Sequence, residues 1–457
     1  MSGSNRRRFL TTASAGVAGL ATPARPSEAA VPKRYPQPSD QLSGGNLEQL
    51  RDAYRTELFD IQLPFWSAHG IDHRLGGFMT ALDYDGTRLS DNKLHWYQGR
   101  GIWVYSFLYN HLGGDPRHLE IARKAKEFWI EHARQADGFY AIDLSREGEI
   151  VKPFEPGVDG DVYGMFFLAE GLQEYAAAAG DGEAREAAIA LLKKMFAYVN
   201  RPDFKDKYAP HPGARIQGNW MVTLQTVTQI LNRGPDPELE SIADFCMDAI
   251  LHKHHNPEIG LTNEYRNHDF SPIPSERNKS LLGHCCQCLW MVMDEALRRG
   301  DQAMFDLAAR QVRQHLDIGW DHVYGGLPEW INVGAGGYDW PPMKLAGNRP
   351  ELRIKGEKFY YKSMWANQEV LVSTLKIYEH SGAEWAARYF NLAQKVQDEK
   401  FSLRRFGYPT YSLGEDRRFS FKPSYHGARQ DHYHPLRRLM MNLLALERLS
   451  RGQGNDA

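Results

Sequence analysis

The feature that most constrains this sequence is a junction it repeats. Five times a helical apolar stretch ends at glycine and another helical stretch begins at once: Gly113-Gly114-Asp115, Gly180-Asp181, Gly234-Pro235-Asp236, Gly300-Asp301 and Gly382-Ala383. Glycine suits the left-handed residue that closes a helix, and aspartate suits the cap that opens the next. Loops this short force neighbouring helices to run antiparallel. The pattern therefore predicts an all-α chain of five helical hairpins, over 96–136, 157–200, 217–254, 278–317 and 358–402. One unpaired helix precedes them (46–68) and one follows (432–450). Pairing the first with the last makes a sixth hairpin and closes a ring of twelve helices. The alternative is an open solenoid, whose terminal repeats would need polar caps.

The connections alternate in length. Turns within hairpins are tight and those between hairpins are long, 318–357 being the longest. Two of the long ones echo each other, Asp72-His73-Arg74-Leu75-Gly76-Gly77 and Asp321-His322-Val323-Tyr324-Gly325-Gly326. If the first helix of each hairpin is the inner one, every long loop feeds an inner helix at its N-terminus. All long loops then gather at one end of the ring and build a cleft there.

Residues 1–30 carry the pattern of an export signal. Arg6-Arg7-Arg8-Phe9-Leu10 is followed by a mild apolar run to about Ala21 and by small residues around Ser27-Glu28-Ala29-Ala30. Paired arginines of this kind are recognised by the twin-arginine export machinery, so a periplasmic or secreted mature protein is expected. The run is too short and too weakly apolar to span a membrane. Residues 31–45, rich in Pro, Ser and Gly, are expected to be a flexible tether, leaving 46–450 as one barrel domain.

Composition excludes some partners. Lys+Arg 55 against Asp+Glu 57 gives no basic surplus for nucleic acid, and no segment of the mature chain is apolar enough for a membrane span. Aromatic residues make 12% of the chain, which suits either a large core or a cleft that stacks on flat ligands. Cys285, Cys286 and Cys288 do not fit a disulfide framework, and on a helix they cannot all point one way, so no metal or other cofactor is expected. His252, His254 and His255 at a helix C-terminus fit surface residues that complement the helix dipole.

Polar residues gather where inner helices begin. They occur in His95-Trp96-Tyr97-Gln98-Gly99-Arg100, Gly283-His284-Cys285-Cys286-Gln287, Trp365-Ala366-Asn367-Gln368-Glu369 and Asp431-His432-Tyr433-His434-Pro435. Pro435 fits a first helical position and puts His434 at the cap, where the dipole disfavours imidazolium and leaves a neutral base. Each residue also has a plain alternative: a hydrogen-bonded core histidine for His284 or His434, a structural ion pair for Arg100, a buried tie for Glu369.

Taken in order, several motifs resemble the N-acylglucosamine 2-epimerase superfamily, which includes cellobiose 2-epimerases and aldose–ketose isomerases. They are Gly76-Gly77-Phe78, Lys93…Trp96-x-Gln98-x-Arg100-x-x-Trp103, Gly283-His284…Trp290, Trp365…Glu369 and Tyr433-His434…Arg437. The resemblance implies an (α/α)6 barrel, in agreement with the ring. It implies His284 and His434 as paired acid/base residues, with Arg100 holding sugar oxygens and stabilising negative charge. Trp103, Asn219, Gln287, Trp290, Trp365 and Glu369 are the implied substrate contacts, although core packing suits each tryptophan equally. Removing and returning the proton at C2 of an open-chain sugar suits imidazoles, and inversion needs one on each face.

The chain departs from the family pattern twice. Gln287 stands where members commonly complete His-x-x-Glu; it is expected to orient His284 without supplying charge. Thr223 stands where many epimerases and isomerases complete Asn-x-x-x-His from Asn219. Two other functions fit such a barrel. A glycoside or unsaturated-uronide hydrolase needs paired carboxylates, for which Asp159, Asp161, Glu264, Glu329 and Glu369 are available. An exported sugar-binding protein without catalysis needs only the cleft.

Overall fold

The junction residues act at the helix ends as their chemistry predicts. Gly180, Gly300 and Gly382 end their helices in the left-handed conformation, with φ of 67°, 68° and 64°. Asp115, Asp181, Asp236 and Asp301 each accept backbone N–H bonds from the following helix, a cap worth about 1 kcal/mol. Ala383 has no such acceptor, and that helix starts without a side-chain cap.

The structure is a computed structural model; it describes residues 36–452 apart from 38–39, 84, 207–208, 335–360, 404–407, 410–411 and 414–430. The expected signal over 1–30 lies outside the described residues. Helix α1 (Leu47–Thr56) passes through a π-helical turn (Glu57–Gln62) into α2 (Leu63–His69). Five hairpins follow. They are α3 (His95–His111) with α4 (Pro116–Ala133), α5 (Tyr163–Ala179) with α6 (Gly182–Val199), and α7 (Gln217–Leu231) with α8 (Pro237–Asp248). The last two are α9 (Leu282–Arg299) with α10 (Gln302–Gly319), and α11 (Met364–Ser381) with α12 (Glu384–Val396). Helix α13 (His434–Ser450) is the last.

Helices α3, α5, α7, α9, α11 and α13 pack on one another in that order, and α13 returns to α3. The ring is closed, as an (α/α)6 barrel, and the first helix of each hairpin is the inner one. The chain ends supply the sixth pair: α1 packs on α13, where Arg438 donates to Glu57 at 2.8 Å and lies 4.7 Å from the Tyr54 ring. Burial follows position. Inner α5 is buried continuously from Gly164 to Ala176, whereas outer α4 buries Ala122, Ala125, Phe128, Trp129 and Ala133, one stripe at helical spacing. Helices α3 and α5 approach closely because Gly99 lacks a side chain; a Cβ there would lie 2.3 Å from the Phe167 and Leu168 backbone.

Short strands, illegible in the sequence, link the long loops to the inner helices. Lys93–Leu94, Arg215–Ile216, Lys279–Leu281 and Lys362–Ser363 directly precede α3, α7, α9 and α11. Each pairs antiparallel with a strand of a neighbouring loop: Asp143–Leu144, Tyr265–Arg266, Trp330–Asn332 and Ser412–Leu413 respectively. Two or three residues are too few for a period-2 pattern to show.

The echoed turns are one structure built twice. Asp72 Oδ1 accepts from the N–H groups of Arg74 and Leu75, and Asp321 Oδ1 from those of Val323 and Tyr324. The other carboxylate oxygen meets a buried lysine at the start of an inner helix: Lys93 at 3.3 Å and Lys362 at 2.6 Å. The second glycine of each turn leaves room for that lysine, since a Cβ on Gly77 or Gly326 would come within 3.3 or 2.9 Å of its Cδ.

Two expectations fail here. The tether expected over 31–45 is structured at its C-terminal end, where Gln41–Leu42 pairs with Gly45–Asn46. Leu42 enters the core, Ser43 N–H donates to Asn391 at 2.6 Å, and Asn46 forms a capping box with Gln49. Tyr378 donates to Asp40 at 3.2 Å as well, so the segment is anchored at several points. His254, expected at the surface, is fully buried: it accepts from Trp220 Nε1 at 3.0 Å, and burial pushes its pKa down to about 3.

Candidate active site

All six inner helices begin at one end of the barrel, around a cavity of about 280 Å3. Helix α3 contributes Trp96, Tyr97 and Arg100, α5 contributes Tyr163 and Phe167, and α9 contributes His284 and Gln287. Trp365 comes from α11 and His434 from α13, with Asp431 just before it. Glu264, Tyr265, Glu329 and Trp330 reach in from the loops. The loops are locked to the helix starts by backbone bonds. The carbonyls of Glu264 and Glu329 accept the first N–H groups of α7 (Gln217, 2.9 Å) and α9 (Leu282, 3.0 Å). This satisfies donors a helix start leaves open and aims the adjacent side chains at the cavity.

His284 and His434 both pack against Trp365, with imidazole-to-indole centroid distances of 5.3 and 5.9 Å. Each has a carboxylate on Nδ1. Glu264 Oε1 is 3.0 Å from His284 Nδ1, and Asp431 Oδ2 holds His434 Nδ1 in a short hydrogen bond. His284 Nε2 is left for the cavity, whereas His434 Nε2 also lies 3.9 Å from Glu369 Oε1. Burial holds the His434 pKa below the ordinary histidine value, against the opposing pull of Asp431. Asp431 is held well below the usual carboxylate range by His434 and Arg100, which together outweigh the effect of its burial.

Arg100 is buried against aromatic faces, its guanidinium carbon 3.8 Å from the Phe167 ring centroid and 4.6 Å from that of Tyr433. Its Nε has no hydrogen-bond partner among the described residues. The cavity therefore contains a guanidinium whose charge is available to a ligand oxygen. Below it lies a buried polar layer. Tyr433 donates to Glu170 at 2.9 Å, and Arg437 spans Tyr433 and Glu369. Desolvation raises the Glu170 carboxyl to about 7.

Of the sequence-predicted contacts, the structure brings Trp365 and Gln287 to the cavity along with His284, His434 and Arg100. It places four elsewhere. Trp103 donates to Gln229 at 3.2 Å, and Trp290 donates to Glu369 at 2.7 Å; both line a separate cavity of about 570 Å3 toward the far ends of the inner helices. Glu369 is fully buried behind the cavity lining as the shared partner of Trp290 and Arg437, with its Oε1 3.9 Å from His434 Nε2. Asn219 is buried outside the cavity lining, its carbonyl bonded by Thr223 Oγ1 at 2.7 Å. A tryptophan one turn along an inner helix points into the ring, but too deep to reach the mouth. Gln287 does not orient His284 either. In the amide orientation that satisfies its neighbours, its oxygen accepts from Arg437 at 3.0 and 3.2 Å.

The sequence reasoning missed Asp431 as a histidine partner, although Asp-x-x-His ahead of a proline was a usable signal. It also missed the aromatic rim, where Trp96 stacks on Tyr163 at 5.1 Å and Tyr265 on Trp330 at 6.2 Å. Of the carboxylates considered for hydrolysis, Glu264 and Glu329 line the cavity and the others are engaged around it. Asp159 is paired with Lys152 on a loop, Asp161 accepts from Trp96 at 2.5 Å, and Glu264 is committed to His284.

An (α/α)6 barrel with two histidines and an arginine converging where its inner helices begin defines a class, the carbohydrate epimerases and isomerases. The family model for N-acylglucosamine 2-epimerase (GlcNAc 2-epimerase) matches residues 76–437, and the chain belongs to that family. The bovine (Bos taurus) N-acylglucosamine 2-epimerase is 26% identical over 380 residues, covering 80% of this chain and 82% of that protein. Among solved structures, a sugar epimerase from a ruminal bacterium superposes with a TM-score of 0.69 at 18% identity, covering 86% of this chain and 98% of the other. The cellobiose 2-epimerase from Bacillus thermoamylovorans B4167 gives 0.68 at 16% identity, covering 87% and 99%.

Proposed function

We propose that this chain is a cofactor-independent 2-epimerase or aldose–ketose isomerase of a reducing sugar, working by histidine-mediated proton transfer at C2. The observation that carries the proposal is that His284 and His434, each held at Nδ1 by a carboxylate, line one cavity and both pack against Trp365. In the open-chain sugar the C2 proton is acidified by the C1 carbonyl. One imidazole Nε2 removes it, leaving an enediolate whose negative oxygen Arg100 stabilises. Return of a proton to C2 from the opposite histidine inverts that carbon; return to C1, with the O2 proton passed to O1, gives the ketose. The six inner-helix N-termini add positive potential where this charge develops. A cavity of about 280 Å3 suits a monosaccharide-sized reacting end, and the stacked aromatic pairs at its rim suit sugar faces. Incubation with a panel of reducing sugars, with products resolved by chromatography, tests the proposal; no epimer or ketose from any of them would refute it.

The same proposal includes export by the twin-arginine pathway, supported by Arg6-Arg7-Arg8-Phe9-Leu10 and the small residues near Ala30. Among the described residues no helix is long and apolar enough to cross a membrane. Fractionation of cells expressing the full chain, with an Arg7→Lys/Arg8→Lys variant retained inside, is the test.

A further inference from the structure

We propose that Glu264 is the positioning residue of His284, and that Gln287 instead serves Arg437. The inference rests on the proton-transfer role proposed for His284. The departure from His-x-x-Glu then has a physical reason. Arg437 already has one buried carboxylate partner, Glu369. A glutamate at 287 would add a further buried negative charge against that single guanidinium, whereas the neutral amide oxygen of Gln287 accepts from Arg437 at 3.0 and 3.2 Å without adding charge.

The carboxylate for His284 comes from the loop before α9, which is braced independently of the histidine. The carbonyl of Glu264 accepts from Gln217, and the next two residues pair with Arg215–Ile216. The preceding Asn263 side chain donates to the carbonyls of Glu276, Arg277 and Lys279 at 3.1, 3.1 and 2.9 Å. Glu264 Oε1 also sits 3.3 Å from the Gly218 N–H, so a helix-start donor fixes the same oxygen that meets His284. Gly218 keeps the space open: a Cβ there would lie 3.1 Å from His284 Cε1, 3.3 Å from Glu264 Oε1 and 2.1 Å from the Tyr163 hydroxyl. With Nδ1–H donated to Glu264, the lone pair of the neutral ring is on Nε2, toward the cavity. Glu264 thus acts through His284 by choosing its tautomer and fixing its ring plane.

The test reads the tautomer directly, by NMR of 15N-histidine-labelled full-length protein without sugar, with His284 assigned from a His284→Gln spectrum. The wild type should show neutral His284 protonated at Nδ1. Glu264→Ala should lose this preference and lower kcat for C2 exchange about 10²-fold with KM changed less than about threefold. Glu264→Gln, whose amide oxygen still accepts from Nδ1–H, should keep the tautomer and recover part of kcat. Gln287→Ala should leave the tautomer unchanged. An Nε2-protonated His284 in the wild type, a tautomer indifferent to Glu264→Ala, or one lost in Gln287→Ala would overturn the inference. The tautomer is measured without turnover. Failure of the reaction proposal would appear instead as full activity in His284→Gln.

Discussion

Asp431 grips His434 from two sides: one carboxylate oxygen accepts the His434 backbone N–H at 3.0 Å and the other meets its Nδ1. The residue that caps the helix therefore also orients the ring. Burial lowers the His434 pKa and Asp431 raises it, burial being the larger cause. A base works when neutral, so kcat/KM should hold until pH falls below the ordinary histidine range of about 6.5. Asp431→Asn removes the raising influence, so the acid limb should move to lower pH while kcat drops about 10²–10⁴-fold. A pH–rate profile of both proteins checks this; an acid limb moved upward would contradict it.

Trp365 packs against both histidines because Gly283 gives it room; a Cβ on that glycine would lie 2.4 Å from the indole. Gly283→Ala should displace the ring and lower kcat/KM by more than about tenfold, at a stability cost of roughly 1–3 kcal/mol. Steady-state kinetics beside a thermal melt would separate the two effects.

Glu170 makes stability depend on pH. Its carboxyl is raised to about 7 in the folded barrel by burial, so the folded state binds a proton more tightly than the unfolded chain. The stabilisation is full below the unfolded value near 4.5 and is lost as pH rises toward 7, an effect of roughly 3 kcal/mol. Glu170→Gln mimics the protonated form. Its melting temperature relative to wild type should rise steadily between pH 5 and pH 8, as scanning calorimetry would show.

The first echoed turn can be tested by a double-mutant cycle. Lys93 is fully buried, and Asp72→Asn leaves it without its carboxylate, at a cost of about 3–5 kcal/mol. Adding Lys93→Met removes the stranded charge, so the double variant should be more stable than Asp72→Asn alone in urea unfolding.

The fold was legible because its information is local and repeated. A glycine junction needs only adjacent residues to end one helix and start the next, and five copies, four of them with Asp, define the hairpins. Closure was legible from the unpaired ends. The site was legible in part. His284, His434, Arg100, Gln287 and Trp365 fall in the first turns of inner helices, where position along the helix sets nearness to the mouth. Trp103 and Trp290 lie about a turn deeper, and Glu369, level with Arg100 and Gln287, is taken up by Trp290 and Arg437, differences that a motif does not display. Glu264 was out of reach for another reason. It precedes His284 by twenty residues on a loop whose course is set by two-residue strands and an asparagine brace.

The most direct test of the central claim is hydrogen exchange at C2, followed by NMR in heavy water on reducing sugars with the wild type, His284→Ala and His434→Ala. The account predicts that the wild type exchanges the C2 hydrogen of its substrate and that each variant slows exchange by about 10²-fold or more while remaining folded. Undiminished exchange in either variant would contradict it.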